Sequence, residues 1–132
     1  MALVLDNISR VVDGVSYLAD IELSFEPGSF NVLLGRTLAG KTSLLRVIAG
    51  LDKPTQGRIL LNGEDVTHVS VQKRKLSMVY QQFINYPHLS VWENIASPLK
   101  LAKVPAKEIK KRVQETAELL HIEQYLSRLP LE

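Results

Sequence analysis

The sequence predicts an α/β fold with an antiparallel pair of strands, a strand–loop–helix unit, and a helical region on the C-terminal side. Three observations predict it. Leu3-Val4-Leu5 and Ile8 begin a strand before the turn signal Asp13-Gly14, and residues 21–26 after it alternate apolar and polar side chains, which indicates an antiparallel pair. Residues 30–50, FNVLLGRTLAGKTSLLRVIAG, run from an apolar stretch through a glycine-bounded loop to apolar residues at helical spacing. Beyond residue 82 the periodicity is helical.

The composition is ordinary for one globular unit and is compatible with a reducing compartment. The chain has 132 residues, 45% of them hydrophobic and 23% charged, and a net charge of +2. Its 16 basic and 14 acidic residues are mostly scattered, which argues against nucleic acid as a partner. Cysteine is absent, so disulfides and thiolate metal sites are excluded. No apolar run reaches the roughly 18 residues that span a bilayer, and we expect a cytoplasmic protein.

The first half of the chain is predicted to be a sheet with one helix. Leu3 begins the first strand, and the alternating residues up to Phe25 form the second. Pro27-Gly28 turns the chain into Phe30–Leu34, whose continuous apolar character is typical of a buried parallel strand. A helix follows from Lys41 to Gly50. Two more strands are predicted, at residues 59–61, which end at Asn62-Gly63, and at residues 76–80.

The second half is predicted to be helical. Ser90, with Glu93 three residues on, is a capping-box signal for a segment that reaches Ala96, between Pro87 and Pro98. From Ala106 an amphipathic helix is expected to pack its apolar stripe on its own core. That stripe consists of Ile109, Val113, Ala117 and Leu120. A second short helix is expected at Ile122, Tyr125, Leu126 and Leu129.

The loop between strand and helix carries the strongest functional signal. Gly35, Gly40, Lys41 and Thr42 fit G-x-x-x-x-G-K-[ST], the phosphate-binding loop of nucleoside triphosphatases. Glycines let the backbone pass close to a phosphate, and the helix N-terminus adds unpaired amides. Lys41 is placed for the β- and γ-phosphates, and the Thr42 hydroxyl suits Mg²⁺. The predicted nucleotide contacts are Gly35, Arg36, Thr37, Leu38, Ala39, Gly40, Lys41, Thr42 and Ser43. The alternative is a glycine-rich turn with a solvent-exposed lysine.

Together with the later stretch SMVYQQFINYPHLSVWENI, residues 77–95, the whole chain resembles the ATP-binding cassette (ABC) subunits of membrane transporters. Within that family it is most similar to importers of sugars and glycerol phosphate, because of Tyr86-Pro87-His88. The resemblance implies an incomplete α/β P-loop NTPase core with an antiparallel β subdomain over residues 1–86. Residues 87–132 would then be the start of an α-helical subdomain.

The resemblance also implies roles for residues outside the loop. Gln81 takes the position of the glutamine that approaches Mg²⁺ and the attacking water, so Gln81 and Lys41 are the expected catalytic residues. Thr42 and Gln81 are the expected Mg²⁺ contacts. Tyr17 is either the platform on which adenine stacks or a strand residue packing on a neighbour. A permease subunit is expected to dock between Gln81 and Trp92, unless Tyr86 and Trp92 are local core.

Departures from the family pattern qualify these expectations. Arg36 and Leu38 stand where many relatives have proline and glycine, and Leu38 restricts φ where glycine does not. The family's signature sequence, Walker B carboxylates and switch histidine would all follow residue 132. No apolar run after Thr42 ends in an acidic residue that could help hold Mg²⁺. The chain therefore reads as an N-terminal fragment that binds ATP without hydrolysing it.

For the full-length parent, the resemblance implies Mg²⁺-dependent ATP hydrolysis that drives uptake of a sugar or similar small polar solute. Its partners would be membrane-spanning permease subunits and a second ATPase subunit, on the inner face of the cell membrane. The alternative is a P-loop protein outside transport, such as a small-molecule kinase or a GTPase. Against a GTPase, no Asn-Lys-x-Asp pattern follows the loop.

Overall fold

The structure, a computed structural model, describes residues 2–82 and 84–131. The chain forms two compact units that meet in sequence between Val79 and Tyr80. The expected subdomain boundary after residue 86 stays a prediction. Among the described residues, no helix is long and apolar enough to cross a membrane.

The first unit is built on a four-stranded antiparallel sheet. The strands are β1 (Leu3–Val12), β2 (Val15–Phe25), β3 (Gln56–Leu61) and β4 (Glu64–Asp65), in the spatial order β2-β1-β3-β4. Leu5 on β1 faces Leu23 on one side and Ile59 on the other. The β1–β2 register shifts near Asn7 and Asp20, both of which have positive φ. The predicted hairpin at Asp13-Gly14 and the strand ending before Asn62 are confirmed.

One helix, α1 (Lys41–Ala49), packs on this sheet. Its buried Leu44 and Val47 join the sheet residues in one hydrophobic core. The other buried members of that core are Leu5, Ile8, Leu18, Ile59 and Val66. Gly50 ends α1 in a left-handed conformation, as the sequence predicts. Farther along, residues Val71–Lys73 form a single 3₁₀ turn.

Two predicted strands are wrong. Residues 30–34 and 76–80 are irregular, and among the described residues no strand pairs with either segment. Most of their apolar side chains are exposed, Phe30 by 92% and Val79 by 95%, although Leu76 and Met78 are half-buried. A strand forms through hydrogen bonds to a neighbour, and an apolar run by itself does not supply one. The apolar pattern therefore identifies segments suited to a buried sheet without making them strands.

The second unit contains two helices, α2 (Val91–Leu101) and α3 (Ala106–Leu120). Ala96 of α2 is buried together with Ile109 and Val113 of α3. The predicted amphipathic helix is confirmed, with one error: Leu120 is largely exposed. It lies at the last position of α3, where the helix ends at His121.

Two boundaries in this unit differ from prediction. The helix α2 does not stop at Ala96 but continues through Pro98 to Leu101. Proline removes one helical hydrogen bond, yet Leu99 beyond it still packs on the core, which favours continuing the helix. The predicted second short helix is reduced to a 3₁₀ turn at Glu123–Tyr125.

The start of α2 is a complete capping box, as predicted. The Glu93 amide donates to Ser90 Oγ over 3.2 Å, and the Ser90 amide and hydroxyl donate to Glu93 Oε2 over 2.9 and 3.0 Å. The hydrogen bond from the Ser90 backbone, and then that from its hydroxyl, hold the pKa of the Glu93 carboxyl below its usual value. Since the folded-state pKa is lowered, Glu93 stabilises the fold above its ordinary pKa, and this contribution is lost as the pH falls through the folded-state value.

We therefore expect Glu93→Gln to lower the melting temperature at pH 7 and to have progressively less effect as the pH falls through the folded-state pKa of Glu93, below which the wild-type carboxyl is also neutral. Thermal unfolding followed by circular dichroism at several pH values measures this. Glu123→Gln, at an exposed carboxylate of the same unit, is the control and should show little change at any pH. A Glu93→Gln effect that does not vary with pH would contradict the assignment.

Candidate phosphate-binding site

The loop from Gly35 to Gly40 is irregular and closes onto the start of α1. The Ala39 amide donates to the Arg36 carbonyl over 3.1 Å, which makes a tight turn inside the loop. Gly40 has a φ of +86°, and a Cβ at this position would lie 2.8 Å from the Tyr17 carbonyl oxygen. Only glycine fits there, because a side chain would be both strained and in collision with β2.

The N-terminus of α1 is open toward the loop. Among the described residues no side chain caps it, and its first turn contains no acidic residue. The Leu44 amide makes the first helical bond, to the Gly40 carbonyl over 2.9 Å. The amides of Lys41, Thr42 and Ser43 precede that bond, so they and the helix dipole are available to an anion. The Thr42 side chain is exposed at the same end.

The Lys41 ammonium is folded over the loop. Its Nζ donates to the Gly35 carbonyl over 2.8 Å and to the Arg36 carbonyl over 2.7 Å. A recess of about 350 Å³ lies beside it. The walls of the recess include Leu18, Ile21 and Leu23 of β2, Ala39 and Gly40 of the loop, and Lys41 itself. The recess is mostly apolar, and the carboxylates of Asp20 and Glu22 also line it. The cation is placed near the open helix end by its hydrogen bonds to the loop carbonyls and not by the recess.

Leu38 lies at an exposed position in the middle of the loop. Its φ is +66° and its side chain is 99% exposed. Leucine therefore adopts, at this position, the left-handed conformation that glycine would take freely. For a residue with a Cβ this conformation costs roughly 1–2 kcal/mol. The loop therefore stores strain at a position that contributes no packing.

Of the two predicted residues outside the loop, Tyr17 lies next to it. Its carbonyl is the atom that a Cβ at Gly40 would meet, and its ring is about half exposed. The Arg10 guanidinium stands 5.8 Å from the ring centroid, a cation–π arrangement. Gln81 is exposed in an irregular segment of the second unit. The roles of Tyr17 and Gln81 stay predictions.

The described residues contain no group of three or more His, Asp or Glu side chains that could hold a metal ion. This does not conflict with Mg²⁺ bound through phosphates, because such an ion keeps several waters and takes only one or two protein ligands. The exposed Thr42 hydroxyl at the helix start fits that requirement.

A charged cluster near the other end of α1 was not predicted. Arg46 donates to both carboxylate oxygens of Asp52, over 2.8 and 3.0 Å, and Arg10 of β1 lies 3.3 Å from the same carboxylate. The Arg46 hydrogen bond, opposed by burial and supported by the charge of Arg10, holds the pKa of Asp52 below its usual range. Positions 10, 46 and 52 share no periodicity, so no local signal in the sequence could have revealed the cluster.

Residues 18–131 match the ABC transporter family. The chain belongs to that family. The antiparallel sheet, the helix α1 and the loop are thus parts of an ABC cassette, and the alternative of an unrelated kinase or GTPase is set aside.

Curated ABC relatives are importer subunits of several kinds. The chain is 41% identical over 120 residues to the Fe(3+) ions import ATP-binding protein of Vibrio cholerae. This match covers 91% of this chain and 34% of that protein. The chain is 38% identical over 130 residues to the sulfate/thiosulfate import ATP-binding protein of Synechocystis, covering 98% of this chain and 37% of that protein. A spermidine/putrescine import ATP-binding protein of Nitrosospira multiformis is 41% identical over 126 residues, covering 96% of this chain and 35% of that protein.

The chain thus spans about a third of the length of the curated relatives it matches. Among solved structures, a dimeric ATP-binding cassette in a post-hydrolysis state bound to ADP and Pi superimposes with a TM-score of 0.85 at 25% identity. That match covers 97% of this chain and 61% of the other. The predicted family and P-loop ABC fold are confirmed. The relatives' names do not bear out the narrower prediction of a sugar importer.

We expect Leu38→Gly to raise the free energy of unfolding by about 0.5–1 kcal/mol, because relief of the left-handed strain exceeds the extra chain entropy of glycine. Urea unfolding measures the change. Leu38→Ala removes the same exposed side chain but keeps the Cβ, so it should bring no comparable gain. Equal effects of the two substitutions would show that Leu38 is not strained.

Proposed function

We propose that this chain is the nucleotide-binding part of the ATP-binding subunit of an ABC importer. The observation that supports this most directly is the open N-terminus of α1 beside the Lys41 ammonium, at a turn where only Gly40 fits. Backbone amides and a lysine at the start of one helix are suited to the phosphates of a nucleoside triphosphate.

In this proposal the loop residues from Gly35 to Ser43 surround the phosphates. Lys41 leaves the carbonyls of Gly35 and Arg36 and turns to the β- and γ-phosphates, where the acceptors as well as the donor are charged. Thr42 supplies a hydroxyl ligand to Mg²⁺, which would neutralise phosphate charge. Tyr17, beside Gly40 and half exposed, is suited to stack on the base. Gln81 would orient water in the complete enzyme.

The activity of the whole protein follows from the family. We propose that the parent hydrolyses ATP with Mg²⁺, as a dimer on the inner face of the membrane, and drives solute uptake through permease subunits. Relatives named for iron, sulfate and polyamine import support a small solute as cargo. The proposal of a sugar depends on Tyr86-Pro87-His88 alone.

This chain by itself should bind ATP without multiple turnover. Its sequence contains no apolar run after Thr42 that ends in a carboxylate able to help hold Mg²⁺, and no signature sequence. Phosphate release by the purified chain that Lys41→Ala abolishes would contradict this proposal.

The permease surface is proposed to include Tyr86. The Asn94 side chain accepts from the Tyr86 amide over 2.7 Å and donates to the Tyr86 carbonyl over 3.0 Å, which fixes the backbone before α2. The Tyr86 side chain is 54% exposed. It lines a recess of about 390 Å³ together with Ile84, Asn85, Asn94 and Ile95. A fixed backbone that presents an exposed aromatic ring is suited to docking a partner.

Trp92 does not share this character. It packs against the core of the second unit, and its ring carries the Lys100 ammonium at 5.3 Å from the centroid. Of the two aromatic residues expected at the docking surface, Tyr86 therefore fits that role, and Trp92 fits a structural one.

The nucleotide proposal predicts that Lys41→Ala weakens ATP binding by up to about 10- to 150-fold. That upper bound is the full value of a charge-assisted contact, roughly 1.5–3 kcal/mol, and the hydrogen bonds to Gly35 and Arg36 that the ammonium gives up reduce it. Titration with fluorescently labelled ATP and Mg²⁺ measures the affinity. Lys53→Ala, at an exposed lysine of the same unit, is the matched control and should bind as the wild type does. Wild-type affinity in Lys41→Ala would show that the Lys41 ammonium does not contact the nucleotide phosphates.

The docking proposal predicts different costs for the two aromatic residues. Trp92→Ala should lower the free energy of unfolding by about 2 kcal/mol or more, because it leaves a cavity beside the core. Tyr86→Ala should change it by about 0.5 kcal/mol or less, as at other exposed positions. Urea unfolding of the two variants provides the comparison. A loss of several kcal/mol in Tyr86→Ala would assign Tyr86 to the core and remove it from the docking surface.

A further inference from the structure

Arg74 is a buried arginine in the first unit, outside the loop. It is 3% exposed, whereas its neighbours Lys73 and Lys75 are exposed. Burial lowers the pKa of its guanidinium, although arginine stays charged. A buried cation ordinarily has a carboxylate partner. The partners of Arg74 among the described residues are instead backbone carbonyls.

Two of these carbonyls belong to the end of α1. Arg74 Nη1 donates to Val47 O over 2.9 Å and to Ile48 O over 2.8 Å. The last carbonyls of a helix lack full intrahelical partners and form the negative end of its dipole, so a guanidinium is well placed there. Arg74 is thus a side-chain cap at the C-terminus of the helix whose N-terminus forms the phosphate site.

The other two carbonyls belong to the segment after β4. Arg74 Nη2 donates to Thr67 O over 2.8 Å, and its Nε donates to Val69 O over 2.9 Å. Thr67 is itself buried, and its Oγ1 accepts from the Ile59 amide of β3 over 2.9 Å. Through Thr67, the guanidinium links the end of α1 to the central part of the sheet.

Gly50 leaves the space that this arrangement needs. A Cβ at Gly50 would lie 2.6 Å from Arg74 Nε and 2.7 Å from Cζ. The guanidinium therefore lies against the backbone of the residue that ends α1. A larger residue at position 50 would displace it.

We propose that Arg74 is a positioning residue for the phosphate-binding loop. By fastening the C-terminal end of α1 to the segment beside β3, it sets the direction in which the helix presents Gly40, Lys41 and Thr42 to a nucleotide. The helix has nine residues, about 13 Å, so few contacts fix its axis and each of them affects the far end. The inference rests on the proposed nucleotide binding.

The first test is the affinity of Arg74→Met for labelled ATP, compared among folded variants of the 132-residue chain. We expect a loss of about fivefold or more. Arg58→Met is the matched control, because Arg58 is an exposed arginine of the same unit paired with Asp6 over 2.6 Å. It should bind as the wild type does. Wild-type affinity in folded Arg74→Met would overturn the proposal.

A double-mutant cycle with Gly50→Ala separates positioning from general destabilisation. Gly50→Ala alone should lower ATP affinity, because its Cβ displaces the guanidinium. In the Arg74→Met background Gly50→Ala should lower ATP affinity much less, because there is no guanidinium to displace. The strain of positive φ is the same in both backgrounds, so it cancels from the comparison. Affinity losses that simply multiply would contradict a shared mechanism.

Amide exchange provides a measurement without nucleotide. In Arg74→Met the Leu44 amide, which closes the first turn of α1, should exchange about fivefold faster or more, while the Val11 amide in the sheet does not. Equal changes at the two amides would overturn the proposal. If wild type fails to bind ATP, the proposed function fails, and this comparison still decides the role of Arg74.

If Arg74→Met does not fold, the wild type supplies the test. Nucleotide binding should slow exchange of the Arg74 Nε–H proton, because coupling between two sites is reciprocal. An unchanged exchange rate at saturating ATP would overturn the proposal.

Discussion

The packing of α1 on the antiparallel sheet is the constraint on which the proposed nucleotide site depends. A nine-residue helix is not stable by itself in water, so its direction comes from tertiary contacts. Leu44 and Val47 supply these by burying their side chains against Leu5, Ile8 and Ile59. Each such side chain is worth roughly 1.5–3 kcal/mol. The open amides at the helix start are useful only because this core holds them in one place.

Where the sequence predicts the fold correctly, the signal is local. The hairpin turns at Asp13-Gly14, and β3 ends just before Asn62-Gly63. The cap of α2 is formed by Ser90 and Glu93. The two residues of each signal lie within three positions of each other. The predicted strands at residues 30–34 and 76–80 fail for the opposite reason. Their apolar character is real, but pairing depends on partners distant in sequence, and among the described residues they have none.

The candidate site also contains residues that local sequence reveals and residues that only the fold reveals. The loop pattern identifies Gly35, Gly40, Lys41 and Thr42 from sequence alone, because glycine and lysine at that spacing have a single common use. The contact of the Tyr17 backbone with Gly40 depends on how β2 lies beside the loop, which no spacing reveals. Arg74 is the clearest omission. It stands between two exposed lysines in a run that reads as solvated charge, and only the fold distinguishes it.

The hydrogen bonds of Lys41 affect how much of the proposed binding energy its ammonium can supply. Its ammonium already has two short hydrogen bonds, to the carbonyls of Gly35 and Arg36, and it gives these up when it turns to a phosphate. These bonds are already charge-assisted because the donor is ionised, and a phosphate acceptor adds only its own negative charge. The exchange is therefore favourable by less than the full value of the new contact. The open amides of α1 give up only water. Much of the affinity should therefore come from the backbone, and backbone donors bind well only when the helix that carries them is aimed correctly.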